Sequence, residues 1–165
     1  MSTFETLRVV EHPQWVEVWL NRPAARNAMS FQMVEELRAL ISSLGDDVQA
    51  VVLRGSEGHF CAGGDVKDMR SVLTQPAPES VEGAGPKTLD LDPLASANRK
   101  FGEMLSELQR CPQVLIVALE GSVMGGGFGL ACISDVAFAL PSARFALPEV
   151  TLGITPAQIA PFVVT

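Results

Sequence analysis

Apolar residues along the chain fall into short alternating runs and longer helical ones. Phe4 to Val10 and Trp15 to Leu20 are two β-prone runs separated by Glu11-His12-Pro13-Gln14, where Pro13 supplies a turn, and they predict a hairpin. A loop from Asn21 to Met29 follows. Ser30 then stands as an N-cap, and Val34, Leu37, Ile41 and Leu44 recur at helical spacing until Gly45 ends the pattern. Val48 to Leu53 is a short, mostly apolar run bounded by turn residues, which suits a buried strand; it leads into the loop Gly55 to Asp65.

Between Thr74 and Pro93 the chain carries many prolines and glycines, including Pro76-Ala77-Pro78 and Gly83-Ala84-Gly85-Pro86, with no apolar period. This stretch reads as a mobile surface insertion. Leu94, Ala97, Phe101, Leu105 and Leu108 mark one face of a second helix, stopped by Pro112 just before the apolar run Val114 to Leu119. Two further strand candidates are Val136 to Leu140 and Arg144 to Leu147. Helix, buried strand, then glycine-rich loop is the order of an α/β domain, in which ligands gather at the carboxyl ends of the strands. Residues 1–165 read as one core domain carrying the 74–93 insertion, without an internal sequence repeat.

Composition narrows the function. With 47% apolar and 19% charged residues, the 165-residue chain can bury a core. A net charge of −7 argues against a protein that holds nucleic acid through its overall field. The N-terminus lacks a basic stretch followed by an apolar core, and no apolar run approaches a membrane span, so a cytoplasmic location away from membranes is expected. Cys61, Cys111 and Cys132 are widely spaced without a C-x-x-C pair, and His12 and His59 are the two histidines. That inventory predicts no disulfide framework, no metal centre and no Ser-His-Asp triad; Ser122 lies outside a G-x-S-x-G setting.

Two loops remain as chemical candidates: His59-Phe60-Cys61-Ala62-Gly63-Gly64-Asp65 and Met124-Gly125-Gly126-Gly127-Phe128-Gly129. Each follows a predicted strand, and each alone could be a tight turn. Neither fits G-x-x-x-x-G-K-[ST], and the second fails G-x-G-x-x-G at its last position, which disfavours a nucleotide-phosphate loop. Backbone without Cβ does let a ligand oxygen approach an amide closely. Two amides converging from different loops would make an oxyanion hole, in which loss of one donor costs about 10²–10³ in rate. A helix beginning within Gly126 to Leu130 would add its positive end.

Taken together, Leu20-Asn21-Arg22-Pro23 with Asn27-Ala28, Phe60 to Lys67, Gly125 to Ala131 with Asp135, and Phe145-Ala146-Leu147-Pro148-Glu149 with Leu152-Gly153 resemble the successive signatures of the crotonase (enoyl-CoA hydratase/isomerase) superfamily. They stand in the family's order and at its spacing. The resemblance implies a ClpP/crotonase-like superhelix of ββα repeats and an acyl-CoA thioester ligand, with no cofactor beyond the coenzyme A of the substrate. It implies Gly64 and Gly126 as oxyanion donors and Glu149 as acid/base. Binding positions carried over are Ala25, Arg26, Ala28, Ala62, Gly64, Asp65, Val66, Lys67, Gly125, Gly126 and Gly129. Met124 to Val136 and Leu152 to Val164 look closest to hydratases of branched glutaconyl-CoA esters, enzymes of fatty-acid or terpene breakdown.

One departure matters. Typical enoyl-CoA hydratases of this family hold a water between two glutamates, and the position matching the first is Gly129. A lone Glu149 could still serve a hydratase if the substrate's own carboxylate helped place the water, or an isomerase that needs no water. An impaired acyl-CoA-binding fragment is the third reading. Asp65 and Asp135 read as helix caps or loop anchors, and His59 as a loop-packing residue. Arg26 and Lys67 are open between coenzyme A contacts and solvated charges. Family chains continue into a helical C-terminal region that supports a homotrimer or dimer of trimers; this chain is expected to correspond to the N-terminal two-thirds.

Overall fold

The computed structural model describes residues 4–74, 93–152, 155 and 157–164. The predicted hairpin forms: β1 (Leu7–Glu11) and β2 (Trp15–Leu20) pair antiparallel, with Leu7 opposite Leu20. β2 pairs in parallel with β3 (Ala50–Gly55), β3 with β4 (Val114–Leu119) and β4 with β6 (Val136–Ala139), giving the sheet order β1-β2-β3-β4-β6. A second, short sheet pairs β5 (Ser122–Met124) with β7 (Arg144–Ala146), and a bridge between Cys61 and Val123 extends it by one residue. The helices are α1 (Phe31–Ser43), α2 (Val66–Leu73), α3 (Pro93–Arg110), α4 (Gly126–Ile133) and α5 (Ala160–Val163). Each turn of the chain thus lays one strand in the long sheet, one short strand or bridge in the second, and then a helix, as expected for ββα repeats.

The core explains why the strands stand where they do. Val16, Val18 and Leu20 of β2, Val51 and Leu53 of β3, and Leu115, Val117 and Leu119 of β4 are buried in one cluster with Met33, Leu37 and Leu40 of α1 and Met104, Leu105 and Leu108 of α3. β3, read as a buried strand, buries alternate residues fully and the others in part, because the helices cover one face of the sheet. The opposite face is half-open and carries Trp19 between the guanidinium groups of Arg8 and Arg54, each 4.1 Å from the ring centroid. At the β6 edge Val136, Phe138 and Leu140 are exposed, as is Phe145 of β7.

Capping follows the expected chemistry. Ser30 Oγ accepts from the Met33 amide at 3.1 Å, and Asp65 Oδ1 from the Lys67 amide at 2.9 Å. The sequence reading had no α2. Its eight residues are too few for the apolar spacing to stand out, whereas the cap at Asp65 was legible. The predicted insertion falls almost wholly on residues 75–92, which lie outside the described residues.

Besides backbone bonds, two side-chain links hold the loop after β2 against the loop after β3. Asn27 is fully buried with φ 57°; its Oδ1 accepts from the Arg22 amide (2.9 Å) and the Ser56 hydroxyl (3.0 Å), and its Nδ2 donates to the carbonyls of Ser56 (2.9 Å) and His59 (2.7 Å). That satisfies the whole carboxamide. The Arg22 guanidinium also pairs with the buried Asp65 carboxylate at 2.7 Å.

Two predictions follow from these links. Asn27→Ala leaves buried carbonyls and an amide without partners, so chemical denaturation should show a loss of about 3 kcal/mol or more. Asp65 gives a pH dependence: burial alone would raise its pKa, but the Arg22 hydrogen bond and the Lys67 amide outweigh it and hold the carboxyl below its ordinary 3.8. The folded value is therefore below the unfolded one, so the stabilisation is full above the unfolded pKa and is lost as pH falls through the folded one. The stability gap between wild type and Arg22→Gln should accordingly hold down to about pH 5 and shrink as pH falls further, through the ordinary carboxyl value and then the lower folded one.

Candidate active site

A cavity of about 530 Å³ opens where the loops that follow β3 and β4 meet. Its wall is built from Met29 and Phe31 at the start of α1, Ala62-Gly63-Gly64, Val66 and Met69 of α2, Ala97 and Phe101 of α3, Gly126, Pro148-Glu149 and Ile159. Sheet-like bonds fix the first glycine loop: the Cys61 amide donates to Ser122 O and the Met124 amide to Cys61 O (both 2.9 Å), while the Met29 amide donates to Gly63 O at 2.8 Å. The second loop is pinned by the Gly125 amide to Ala146 O at 2.9 Å. The two loops touch: a Cβ placed on Gly125 would lie 3.4 Å from Gly63 Cα.

Two features of this cavity bear on chemistry. Among the described residues no acceptor meets the amides of Gly64 and Gly126, and both glycines line the cavity. Gly126 also opens α4, so its amide lies at the positive end of a helix. The second feature is Glu149, on the 3-10 turn Pro148–Leu152. One carboxyl oxygen, Oε1, rests against the α-carbon of Gly125, in space that a Cβ there would occupy; the other, Oε2, is buried without a hydrogen-bond partner among the described residues. Most buried polar atoms are paired, so an unpaired carboxylate oxygen in a cavity wall is a group held ready for something else.

The predicted residues divide into three groups. Ala62, Gly64, Val66, Gly126 and Glu149 line the cavity together. Gly125, with φ 48°, stands behind Glu149, and Gly129 turns away: a Cβ there would meet Leu105 Cδ1 at 3.3 Å and Ile159 at 3.4 Å, an apolar contact. Ala25, Arg26, Ala28, Asp65 and Lys67 are not among the described lining residues. The Arg26 carbonyl accepts from the Ala62 amide, the Ala28 carbonyl from the Arg22 guanidinium, and the Arg26 and Lys67 side chains are exposed.

Anchors outside the cavity behave as the sequence suggested. Asp135 Oδ2 accepts from the Leu115 amide at 2.7 Å, and His59 Nδ1 from the Ser122 amide at 3.2 Å, a loop-packing role. Cys61 packs under the start of α4, and burial pushes its thiol up to about 11, so it is neutral at physiological pH. Met69 and Phe101 escaped the sequence reading as site residues. The signal for Phe101 was present, since it stands in the apolar series of α3, but nothing in that series tells a core contact from a cavity wall.

Comparison with known proteins places this geometry. The enoyl-CoA hydratase/isomerase family matches residues 14–165. Among solved structures, an enoyl-CoA hydratase/isomerase from Marinobacter aquaeolei superposes with TM-score 0.87 at 49% identity, over 97% of this chain and 58% of that one. Pseudomonas aeruginosa AtuE gives TM-score 0.84 at 50% identity, over 97% and 57%. A Thermobifida fusca protein solved in complex with acetoacetyl-CoA gives 0.77 at 27%, over 96% and 60%. Relatives include enoyl-CoA hydratase AKT6-1 of Alternaria alternata (29% identity, 94% of this chain, 46% of the relative) and the human mitochondrial Delta(3,5)-Delta(2,4)-dienoyl-CoA isomerase (31%, 92% and 45%). The chain spans about half the length of the curated relatives it matches. By fold and by sequence, the chain belongs to the enoyl-CoA hydratase/isomerase family.

Proposed function

We propose that this protein acts on α,β-unsaturated acyl-CoA thioesters as a hydratase, with the amides of Gly64 and Gly126 receiving the thioester oxygen and Glu149 moving the proton. The observation that carries this reading is that one cavity is lined by Gly64 and Gly126, whose amides meet no acceptor among the described residues, and by Glu149, whose buried Oε2 has no partner among them. Amides aimed at a thioester oxygen stabilise it most when it carries the negative charge of an enolate. In the hydration direction, Glu149 takes a proton from water as the water oxygen bonds to C3; the C2–C3 π electrons pass into the enolate, and Glu149 returns the proton to C2. This needs no metal and no redox cofactor. The exposed side chains of Arg26 and Lys67 are then available to the phosphates of coenzyme A.

The acyl group is read from Gly129, which stands at the sequence position where the family resemblance expects a second glutamate. Gly129 contributes no side chain and faces Leu105 and Ile159, so a substrate that brings its own carboxylate, as a branched glutaconyl-CoA ester does, would help hold the water. The same apolar contact favours a second reading, in which Glu149 transfers a proton between two carbons of the acyl chain without water, as in a double-bond isomerase. Relatives of both names support keeping it.

Turnover of unsaturated acyl-CoA thioesters, branched glutaconyl esters included, in oxygen-18 water separates the two. Label in the product establishes the hydratase; double-bond migration without label establishes the isomerase; neither product, with binding retained, would sink both. Glu149→Gln should lower turnover by about 10²–10⁴ while leaving acyl-CoA binding in place. A Cβ at Gly125 would displace the Glu149 carboxyl, so Gly125→Ala should also lower kcat by more than about tenfold. Adding Glu149→Gln to it should cost little more, because both changes remove one function.

A further inference from the structure

The two glycines assigned above as donors each have an apolar side chain against the α-carbon. The Met69 methyl of α2 lies on the α-carbon of Gly64, in space a Cβ would take, and the Phe101 ring of α3 lies on the α-carbon of Gly126, its Cζ 3.0 Å and Cε2 3.2 Å from where a Cβ would stand. Both side chains line the cavity, and neither belongs to a glycine loop. α2 and α3 pack against one another, so the two side chains are held by one helix pair.

We propose that Phe101 and Met69 set which acyl groups the site accepts: they form the two walls of the slot through which the carbon next to the thioester carbonyl must pass, and they exclude acyl-CoA thioesters branched at that carbon. The inference rests on the assignment of the Gly64 and Gly126 amides as the thioester-oxygen donors. A carbonyl oxygen within hydrogen-bond range of both amides, about 2.9 Å, fixes the carbonyl carbon beside them, and the α-carbon is one bond further on. A ring edge and a thioether methyl seated on the α-carbons of the very residues that donate would bound the space beside the carbonyl, admitting a flat CH or CH₂ and rejecting an added methyl. Close-packed walls cannot yield to that extra volume without displacing α2 or α3. Branching further along the chain meets the wider cavity, and it is tolerated. The same contacts keep water from the two amides, where each hydrogen bond is worth more the drier its surroundings.

The test uses two saturated, unreactive isomers of equal size, butyryl-CoA and isobutyryl-CoA, with coenzyme A alone as reference, measured by titration calorimetry on the full chain. Wild type should bind butyryl-CoA at least about tenfold more tightly than isobutyryl-CoA, since a misplaced methyl in a packed site costs roughly 1–3 kcal/mol. Phe101→Ala should bring the ratio close to one by strengthening isobutyryl-CoA binding, and Phe101→Leu and Met69→Ala should each move it part of the way. Gain of affinity for the branched ester is a readout that a merely destabilised variant would not give.

A wild-type ratio near one, or a ratio unchanged in Phe101→Ala, Phe101→Leu and Met69→Ala while both thioesters still bind more tightly than coenzyme A, overturns the proposal and leaves the donor assignment standing. Thioesters that bind no better than coenzyme A itself would overturn the donor assignment, and the slot with it.

Discussion

A parallel sheet leaves the loops at its strand ends without a ladder to hold them, yet those loops must carry the chemistry. In this chain that constraint is met by backbone bonds between the loops, such as Met29 to Gly63 and Ala62 to Arg26, and by one buried carboxamide. Asn27 binds the backbone or hydroxyl groups of Arg22, Ser56 and His59, so the loop after β2 and the loop after β3 are also fastened through a single side chain with no hydrogen-bonding capacity left over. Arg22, positioned in the same turn, reaches Asp65, and Asp65 caps α2. The position of Gly64, between the Cys61–Val123 bridge and that cap, is therefore set from both sides. Energies of about 1 kcal/mol per hydrogen bond are modest, but buried groups that lose a partner cost more, which makes this network a precise constraint as well as a stabilising one.

On the proposed assignment the site is packed where it donates and sparse where it reacts. Met69 and Phe101 lie on the α-carbons of Gly64 and Gly126, so little reorganisation would accompany charge arriving at their amides. Glu149 is held differently. Its carboxyl leans on the bare backbone of Gly125, whose positive φ brings the turn close, and no donor among the described residues fixes Oε2. The energy forgone in leaving it unpaired comes from the fold, through the strand pairing of β5 with β7 that carries Ala146 and the turn following it.

How much of this was legible in the sequence depended on how local the cause was. The β1–β2 hairpin, the cap at Ser30, α1, α3 and β4 follow from short-range periodicity and turn chemistry, and they stand within a few residues of their expected bounds. Gly64, Gly126 and Glu149 were legible as a set through the family resemblance, and the structure brings them to one cavity. What escaped was the product of long-range packing. Helix α2 is too short to announce itself, β3 gave no sign that its second face is uncovered, and Phe101 reads in sequence like its neighbours Leu105 and Leu108. Its different role arises because the α3 register turns residue 101 towards Gly126 while residues 104, 105 and 108 enter the core.

Gly129 shows how one packing choice bears on the reaction. Its α-carbon is closed off by Leu105 of α3 and by Ile159 just before α5, and Gly129 is not among the described lining residues of the cavity, so this apolar contact belongs to the core. A contact of that kind cannot orient water, since a water molecule needs two or more polar partners. On the proposed assignment, in which the Gly64 and Gly126 amides and Glu149 serve either reaction, the choice between hydration and isomerisation turns on the polar groups the ligand itself brings into the cavity. The two chemistries would then diverge through a single position on α4 and the residues packed on it, without disturbing those amides.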